Sequence, residues 1–405
     1  MSRFQQQAQL SPTLTLLMAV SCGLTIANLY YNQPLLAEMG RTFGVDDQQS
    51  GIISTYTQIG FAIGMFTFIP LGDIYEKKKL ILSLLFAVGL ALIFLATAQN
   101  LYSVYIASFM VGFTTVSPQI IVPFAAELAS PYQRGKVIGS VMSGLLIGIL
   151  LARTVAGFIG ELFSWRVMFG FASLLMFILT YVLYHYLPSL KPKVKLSYLE
   201  LLRSIRKLIV QERTLREAAL ISALMFGSFS AFWTSLTFFL EGPHYQYGSS
   251  MVGMFSLIGV VGVVTASVVG KLSDRFSPQM MVGLMTVIVL LSYVLFGLFG
   301  TWHLGLIVGI VLLDLGYQGA HISNQTRIYS LSAEAKGRLN TVYMVSSFIG
   351  GALGSAGGVA AWDRWGWLGI CVIGGSMATA AFFVWLWHYL LKQKKNQIVT
   401  KVFID

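Results

Sequence analysis

Two ionisable residues stand inside long apolar stretches: Arg153 in LLARTVAG and Asp314 in LLDLGYQGAHISNQTRIYSL. A charge deep in an apolar helix is costly, faces protein or a water-filled cavity, and marks solute or ion pathways. A carboxyl group held away from bulk water can take up and release a proton, which makes Asp314 a candidate proton carrier. His321 is a second titratable candidate. Arg153 either tunes that carboxyl group or meets an anionic group of a solute; a purely structural Arg153–Asp314 pair is the alternative. Gln318, His321 and Gln325 follow Asp314 at spacings that put all four on one helical face, with Asn324 beside them. A polar face of that length must meet protein or water rather than lipid. Asn28, Tyr30, Tyr31 and Gln33 in ANLYYNQP, with Gln58, Gln119 (between Pro118 and Pro123) and Trp233, are further candidates for a shared binding site. The tyrosines could equally belong to an interfacial belt. These residue types suit recognition and proton transfer rather than bond cleavage. The sequence has no H-E-x-x-H and no G-x-x-x-x-G-K-(S/T), which disfavours a zinc hydrolase and an ATP-driven pump. Its two cysteines, Cys22 and Cys371, sit in apolar runs and offer neither a disulfide framework nor a metal cluster. No cofactor is expected.

The elements that must hold these residues are themselves apolar. Of 405 residues, 56% are hydrophobic and 11% charged, against about a quarter charged in a soluble domain; mean hydropathy is +0.73. A bilayer core of about 30 Å takes about 20 mostly apolar helical residues per crossing. Twelve such runs fall near residues 12–37, 48–70, 80–98, 102–126, 137–160, 165–187, 217–240, 249–270, 279–300, 303–329, 339–361 and 366–391. The first is too long for the apolar region of a signal peptide and reads as a retained span. Arg153 then lies roughly 25 Å from one end of the fifth run, and Asp314 roughly 17 Å from the other end of the tenth, at about 1.5 Å per residue. Glu127 and Arg327 stand nearer span ends and read as structural.

Charge placement gives the orientation. With a cytoplasmic N-terminus, 22 of the 27 lysines and arginines fall on the cytoplasmic side. Only Arg41, Arg166 and Arg364 fall outside, and Arg153 and Arg327 remain within spans. That asymmetry puts both termini in the cytoplasm. The net charge of +11 is therefore an orientation signal, and nucleic acid drops out as a partner. The longest connection, residues 188–216, has Leu199, Leu202, Ile205, Leu208 and Ile209 at helical spacing among Arg203, Arg206 and Lys207. It reads as a linker carrying an amphipathic helix on the cytoplasmic membrane surface. The expected organisation is an all-α polytopic protein of two six-helix bundles, residues 1–187 and 217–405, joined by that linker.

The halves repeat one another. IPLGDIYEKKK after the second span corresponds to VVGKLSDRFSP after the eighth, making Asp73 and Asp274 equivalent, and Gly112–Arg134 corresponds at equal spacing to Gly316–Arg338. Such a repeat implies two parallel bundles related by an axis along the membrane normal. With these motifs the chain resembles the major facilitator superfamily over essentially its whole length. The family's G-x-L-(A/G)-D-R-x-G-R-K loop is matched by Gly270-Lys271-Leu272-Ser273-Asp274-Arg275, and by Leu71-Gly72-Asp73 with Lys77-Lys78, where Ile69, Ile74 and Glu76 depart from it.

The resemblance implies that spans one, four, seven and ten line a central cavity. It implies that Asp73 faces the eleventh helix and Asp274 the fifth. With Lys77, Arg134, Arg275 and Arg338 these carboxylates would form a cytoplasmic gate that breaks as the bundles rock apart. Gly144, Gly148, Ala152, Ala156 and Gly160, and Gly350, Gly354 and Gly358, form small-residue stripes that by resemblance lie at the moving interface between bundles. ANLYYNQP, LLARTVAG and LLDLGYQGAHISNQTRIYSL look like the drug- and sugar-efflux branch. Ser108 stands where drug–proton antiporters usually carry an arginine, and the fifth-span Gly-Pro pair is missing.

The expected protein is a monomeric secondary transporter in a bacterial inner membrane. It would work by alternating access and export a drug, sugar or metabolite in exchange for protons. The alternatives are an uncoupled facilitator, a proton symporter for an organic solute, and a non-transporting receptor. If Asp73 latches the cytoplasmic side, Asp73→Asn shifts the conformational balance about tenfold toward the inward-open form, the scale of one charge-assisted hydrogen bond. Spin-label distances across the cytoplasmic ends measure that shift, and an unchanged distribution counts against the latch.

Overall fold

The computed structural model describes residues 11–130, 132–190, 197–259, 277–332 and 335–402, and every regular element among them is helical. The first half contains α1 (Pro12–Ala27), α2 (Leu36–Phe43), α3 (Asp47–Ile74), α4 (Lys77–Ala96), α5 (Leu101–Thr114), α6 (Ser117–Leu128), α7 (Arg134–Leu162) and α8 (Trp165–Tyr186). The linker forms α9 (Tyr198–Gln211). The second half contains α10 (Arg213–Glu241), α11 (Ser249–Phe255), α12 (Pro278–Phe299), α13 (His303–Tyr329) and α14 (Lys336–Val402). Among the described residues, nine helical stretches are long and apolar enough to cross a membrane. One of them, within α14, is broken at Gly366, whose φ of +57° is left-handed and ends one span before the next begins. The eighth span is described only as far as Gly259, so Asp274 and Arg275 lie outside the described residues.

Local chemistry sets where these helices start. Ser11, Asp46, Asn100, Ser164 and Ser277 each accept a backbone N–H from the first turn of the helix that follows. The first span is not one helix. After Ala27 the chain turns through Asn28–Asn32 and makes a 3-10 turn at Gln33–Leu35, with Pro34 inside it, before α2 begins. ANLYYNQP is therefore a helix break, tolerated at membrane depth because the segment is buried in protein. The fourth span breaks similarly between α5 and α6.

The repeat is visible in the packing. α7 lies against α1 in the first half and α14 against α10 in the second. A methyl group at Gly148 would collide with the carbonyl oxygen of Gly23, and one at Gly354 with that of Gly227. Gly144, Gly148, Gly350, Gly354 and Gly358 thus bring backbones together within each half. This corrects the expectation that the stripes mark the interface between halves. Gly157 alone of the close-approach glycines on α7 meets the backbone of α11 across the halves. The halves meet chiefly through α3 on α14 and α7 on α11.

α9 differs from its expected place. Leu201 and Ile205 are buried, and Leu208 packs under the cluster of Leu215, Ile328, Leu339 and Tyr343, so this face docks on protein rather than lipid. Leu199 and Ile209 stay exposed. An amphipathic helix has one apolar face, and here the ends of α10 and α14 supply a drier surface for it than the membrane interface. Beneath it, Arg327 pairs with Glu217 at 2.7 Å and donates to Asn324 Oδ1 at 2.9 Å, both charged side chains being nearly buried. Breaking a buried pair from one side strands the other charge at a cost of about 3–5 kcal/mol. Glu217→Ala should therefore lower the thermal unfolding temperature of the purified protein by several degrees, and an unchanged value would mean that water compensates Arg327.

Candidate functional site

A cavity of about 740 Å³ opens between the two halves. Its walls come from α1, α3, α6 and α7 on one side and α10, α13 and α14 on the other. At one end it is lined by Asp73, Lys77, Glu127, Lys336 and Arg338, with Leu201 and Ile205 of α9 at the mouth; we call this the basic end. Gln119, Gln318, His321 and Gln325 line it deeper, and Arg153 stands at its inner limit. His321 Nδ1 lies 3.2 Å from the Tyr343 hydroxyl. Much of the remaining wall is aromatic. Phe229 stacks on Tyr317 with ring centres 4.6 Å apart and Phe226 meets Phe348 edge-on at 4.8 Å, while Phe61, buried behind the wall, meets Phe348 at 4.5 Å. The sequence reading missed Phe226, Phe229, Tyr317 and Phe348. The available signal was Phe226, Phe229 and Trp233 recurring at helical spacing on the seventh span.

Arg153 is 4% exposed. The break in the first span brings Gln33 to it, and Arg153 Nε donates to Gln33 Oε1 at 2.5 Å. The guanidinium carbon lies 4.8 Å from the ring centre of Tyr30 and 4.4 Å from that of Trp233, good positions for cation–π attraction. Among the described residues no carboxylate pairs with it and Nη2 has no hydrogen-bond partner. Asp314 is 6% exposed and packs beside Gly259. It interacts electrostatically with Arg153 but forms no ion pair with it, and Oδ2 has no hydrogen-bond partner among the described residues. The expected polar set is thus divided. Tyr30, Gln119, Arg153, Gln318 and His321 share the cavity. Gln33 and Trp233 support Arg153 from behind. Asn28 donates to Met176 Sδ, Asn324 holds Arg327, and Tyr31 is buried away from the cavity lining. Gln58 accepts from Ser230 Oγ across the halves at 3.4 Å.

The two ends of the molecule differ. At the basic end, Lys77 pairs with Glu127 and Arg134 Nε donates to Ala126 O, contacts that stay within the first half. Asp73 feels the charge of Arg338, which donates instead to Ser204 Oγ on α9. At the opposite end the halves are tied together. Arg41 pairs with Glu241 at 2.5 Å, the Trp362 indole N–H donates to Asp47 Oδ2 at 2.9 Å, and Ser250 N–H donates to Glu161 Oε2 at 2.8 Å. Thr154 and Ser249 add hydroxyl-to-carbonyl bonds between α7 and α11, each 3.0 Å long. Beside them Glu38 accepts Trp165 N–H at 3.0 Å; burial pushes its carboxyl above the usual carboxylate range. This is a conformer open at the basic end and closed at the other. Arg41→Ala with Trp362→Phe removes about 1–2 kcal/mol from the closed end. The expected result is a shift of about five- to thirtyfold toward opening there, read as longer spin-label distances between Thr42 and Pro243 positions substituted with cysteine; unchanged distances would show that the α7–α11 contacts suffice.

Residues 17–355 match the family model described as Major Facilitator Superfamily. The chain is 40% identical over 386 residues to the uncharacterized transporter YgaY of Escherichia coli O157:H7, covering 95% of this chain and 98% of the relative. It is 25% identical over 375 residues to the inner membrane transport protein YnfM of Escherichia coli K12, covering 90% and 88%. Among solved structures, the nucleoside transporter NupG aligns with a TM-score of 0.73 at 15% identity, covering 92% and 98%, which bears on the fold. The helical architecture, the cavity between repeated halves and the match along most of the sequence agree: this chain is a multi-pass membrane protein of the major facilitator superfamily, a family of transporters rather than enzymes.

Proposed function

We propose that the protein is a proton-coupled secondary transporter that moves a small organic molecule across a bacterial inner membrane by alternating access. The observation that carries this reading is Asp314, a nearly buried carboxylate without an ion-pair partner among the described residues, on a helix that also lines the cavity. A carboxyl group so placed can hold a proton in one conformer and release it in the other. Cargo binds in the cavity against Gln119, Gln318 and His321, and Arg153 sets the charge that the proton and the cargo both meet. In this reading the basic end faces the cytoplasm with both termini, so the conformer described is inward-open. Residues 1–187 and 217–405 rock about the linker 188–216 as a monomer in the lipid bilayer. Asp73, Lys77, Arg134, Asp274, Arg275 and Arg338 close the cytoplasmic gate while the Arg41–Glu241 end opens.

The resemblance to drug- and sugar-efflux proteins supports export in exchange for protons. A second reading, proton symport, draws on the separation of Asp314 from Arg153. Exchange requires cargo and proton to exclude one another, whereas two distinct groups allow both to be aboard together.

Reconstitution tests the shared claim. In vesicles carrying an imposed pH gradient, the wild type should accumulate or expel at least one solute of a drug, sugar and organic-acid panel. Asp314→Asn should reduce gradient-driven movement to the level of empty vesicles while leaving movement down the solute's own gradient. Gradient-driven transport that survives in Asp314→Asn removes this residue as the coupling site.

A further inference from the structure

We infer that the cargo is an organic anion, a carboxylate on an aromatic or apolar body, whose charged end sits on Arg153. The inference deepens the reading of the cavity as a transport site and rests on it. Its first ground is the missing counter-charge. A guanidinium taken out of water without an anion is strongly unfavourable, and the cost falls when an oxyanion supplies both charge and hydrogen bonds. Arg153 has Gln33 Oε1 on Nε and two aromatic faces around its carbon, which attract a cation without neutralising it. Nη2 is left without a hydrogen-bond partner among the described residues. A carboxylate matches the guanidinium fork, and Arg153 lines the cavity, so the cavity can deliver one. Asp314 does not fill this role, because it forms no ion pair with Arg153 and does not line the cavity.

The second ground is independent of Arg153. Lys77, Lys336 and Arg338 face the cavity near its mouth against Asp73 and Glu127, so even without Arg153 cations outnumber carboxylates in the lining. A cleft of one prevailing sign concentrates solutes of the other. Between mouth and inner end, Phe226, Phe229, Tyr317 and Phe348 offer flat apolar faces to the rest of the molecule. The cavity volume suits a drug-sized solute rather than an inorganic ion.

Charge also decides how cargo and proton are linked. Among the described residues, the ionisable groups that interact with Asp314 are Arg153 on α7 and Tyr317 on its own helix, while Gly259 offers none. When Asp314 is ionised it offsets part of the Arg153 field. When it takes a proton, Arg153 is the sole charge at the inner end of the cavity among the described residues and holds an anion better. Anion and proton therefore favour each other's binding, the linkage of a symporter.

The test compares each of three carboxylates, 2-naphthoate, 3-phenylpropionate and indole-3-acetate, with its own primary amide on the purified full chain, by ligand-induced thermal stabilisation and by counterflow in vesicles. At least one acid should bind about tenfold or more tightly than its amide, the scale of a hydrogen-bonded charge pair. Arg153→Gln should abolish that preference and Arg153→Lys should retain part of it, which separates a lost charge from a lost fold. Over the pH range in which the acids stay ionised, acid binding should tighten as pH falls in the wild type, lose that tightening in Asp314→Asn and keep it in His321→Gln, which separates the carboxyl group from the cavity-lining imidazole. If no acid outbinds its amide, or if the preference survives in Arg153→Gln, the proposal is overturned. Acid-selective counterflow without any response to a pH gradient leaves the anion assignment standing and removes the coupling role of Asp314.

Discussion

An ionised side chain in the middle of an apolar bundle has to be solvated by the protein itself, and the inner part of this molecule is organised around that requirement at Arg153. The first span breaks just where Gln33 can reach the guanidinium, at 2.5 Å. Tyr30 and Trp233 close over it from the two halves. The break itself frees backbone groups, which the turns at Asn28–Leu35 satisfy locally within buried protein. One costly charge thus accounts for a discontinuous helix, a polar partner and an aromatic enclosure, and these three together form the inner limit of the cavity. What they do not supply is an anion. On the proposed reading, a solute or a change in the protonation of Asp314 alters that same local field.

Around this fixed point the two halves hold an unequal set of contacts. The end bearing Arg41, Asp47 and Glu161 is joined by an ion pair and several hydrogen bonds across the halves. At the basic end the charges are retained within one half, or taken by α9 through Ser204. Each of these contacts is individually modest. The glycine pairs contribute differently. They bring α1 to α7 and α10 to α14 backbone to backbone, which ties the helices of each half closely together.

Much of this was legible in the sequence because a bilayer imposes severe rules. Apolar runs of about twenty residues and the crowding of basic residues into alternate loops follow from solvation alone. Arg153 and Asp314 stood out because lipid makes charge conspicuous. The aromatic wall did not, because Phe226, Phe229 and Phe348 look the same in sequence whether they fill a core or line a cavity. Arg41 and Glu241 are 200 positions apart and read as unrelated loop charges until folding joins them. The amphipathic pattern of α9 fits a membrane surface and a protein surface equally, and only the exposed ends of α10 and α14 decide between them. The glycine stripes announced close packing without saying which helix they approached.

In the proposed cycle, Asp314 gains and loses a proton. Infrared difference spectroscopy on the reconstituted protein, recorded across a pH step, observes this directly as the carbonyl stretch of a protonated carboxyl group. The expected result is a band that appears as pH falls, shifts when a carboxylate solute binds, and is absent from Asp314→Asn. A band that persists unchanged in Asp314→Asn would assign the proton to another group and rule out Asp314 as its carrier.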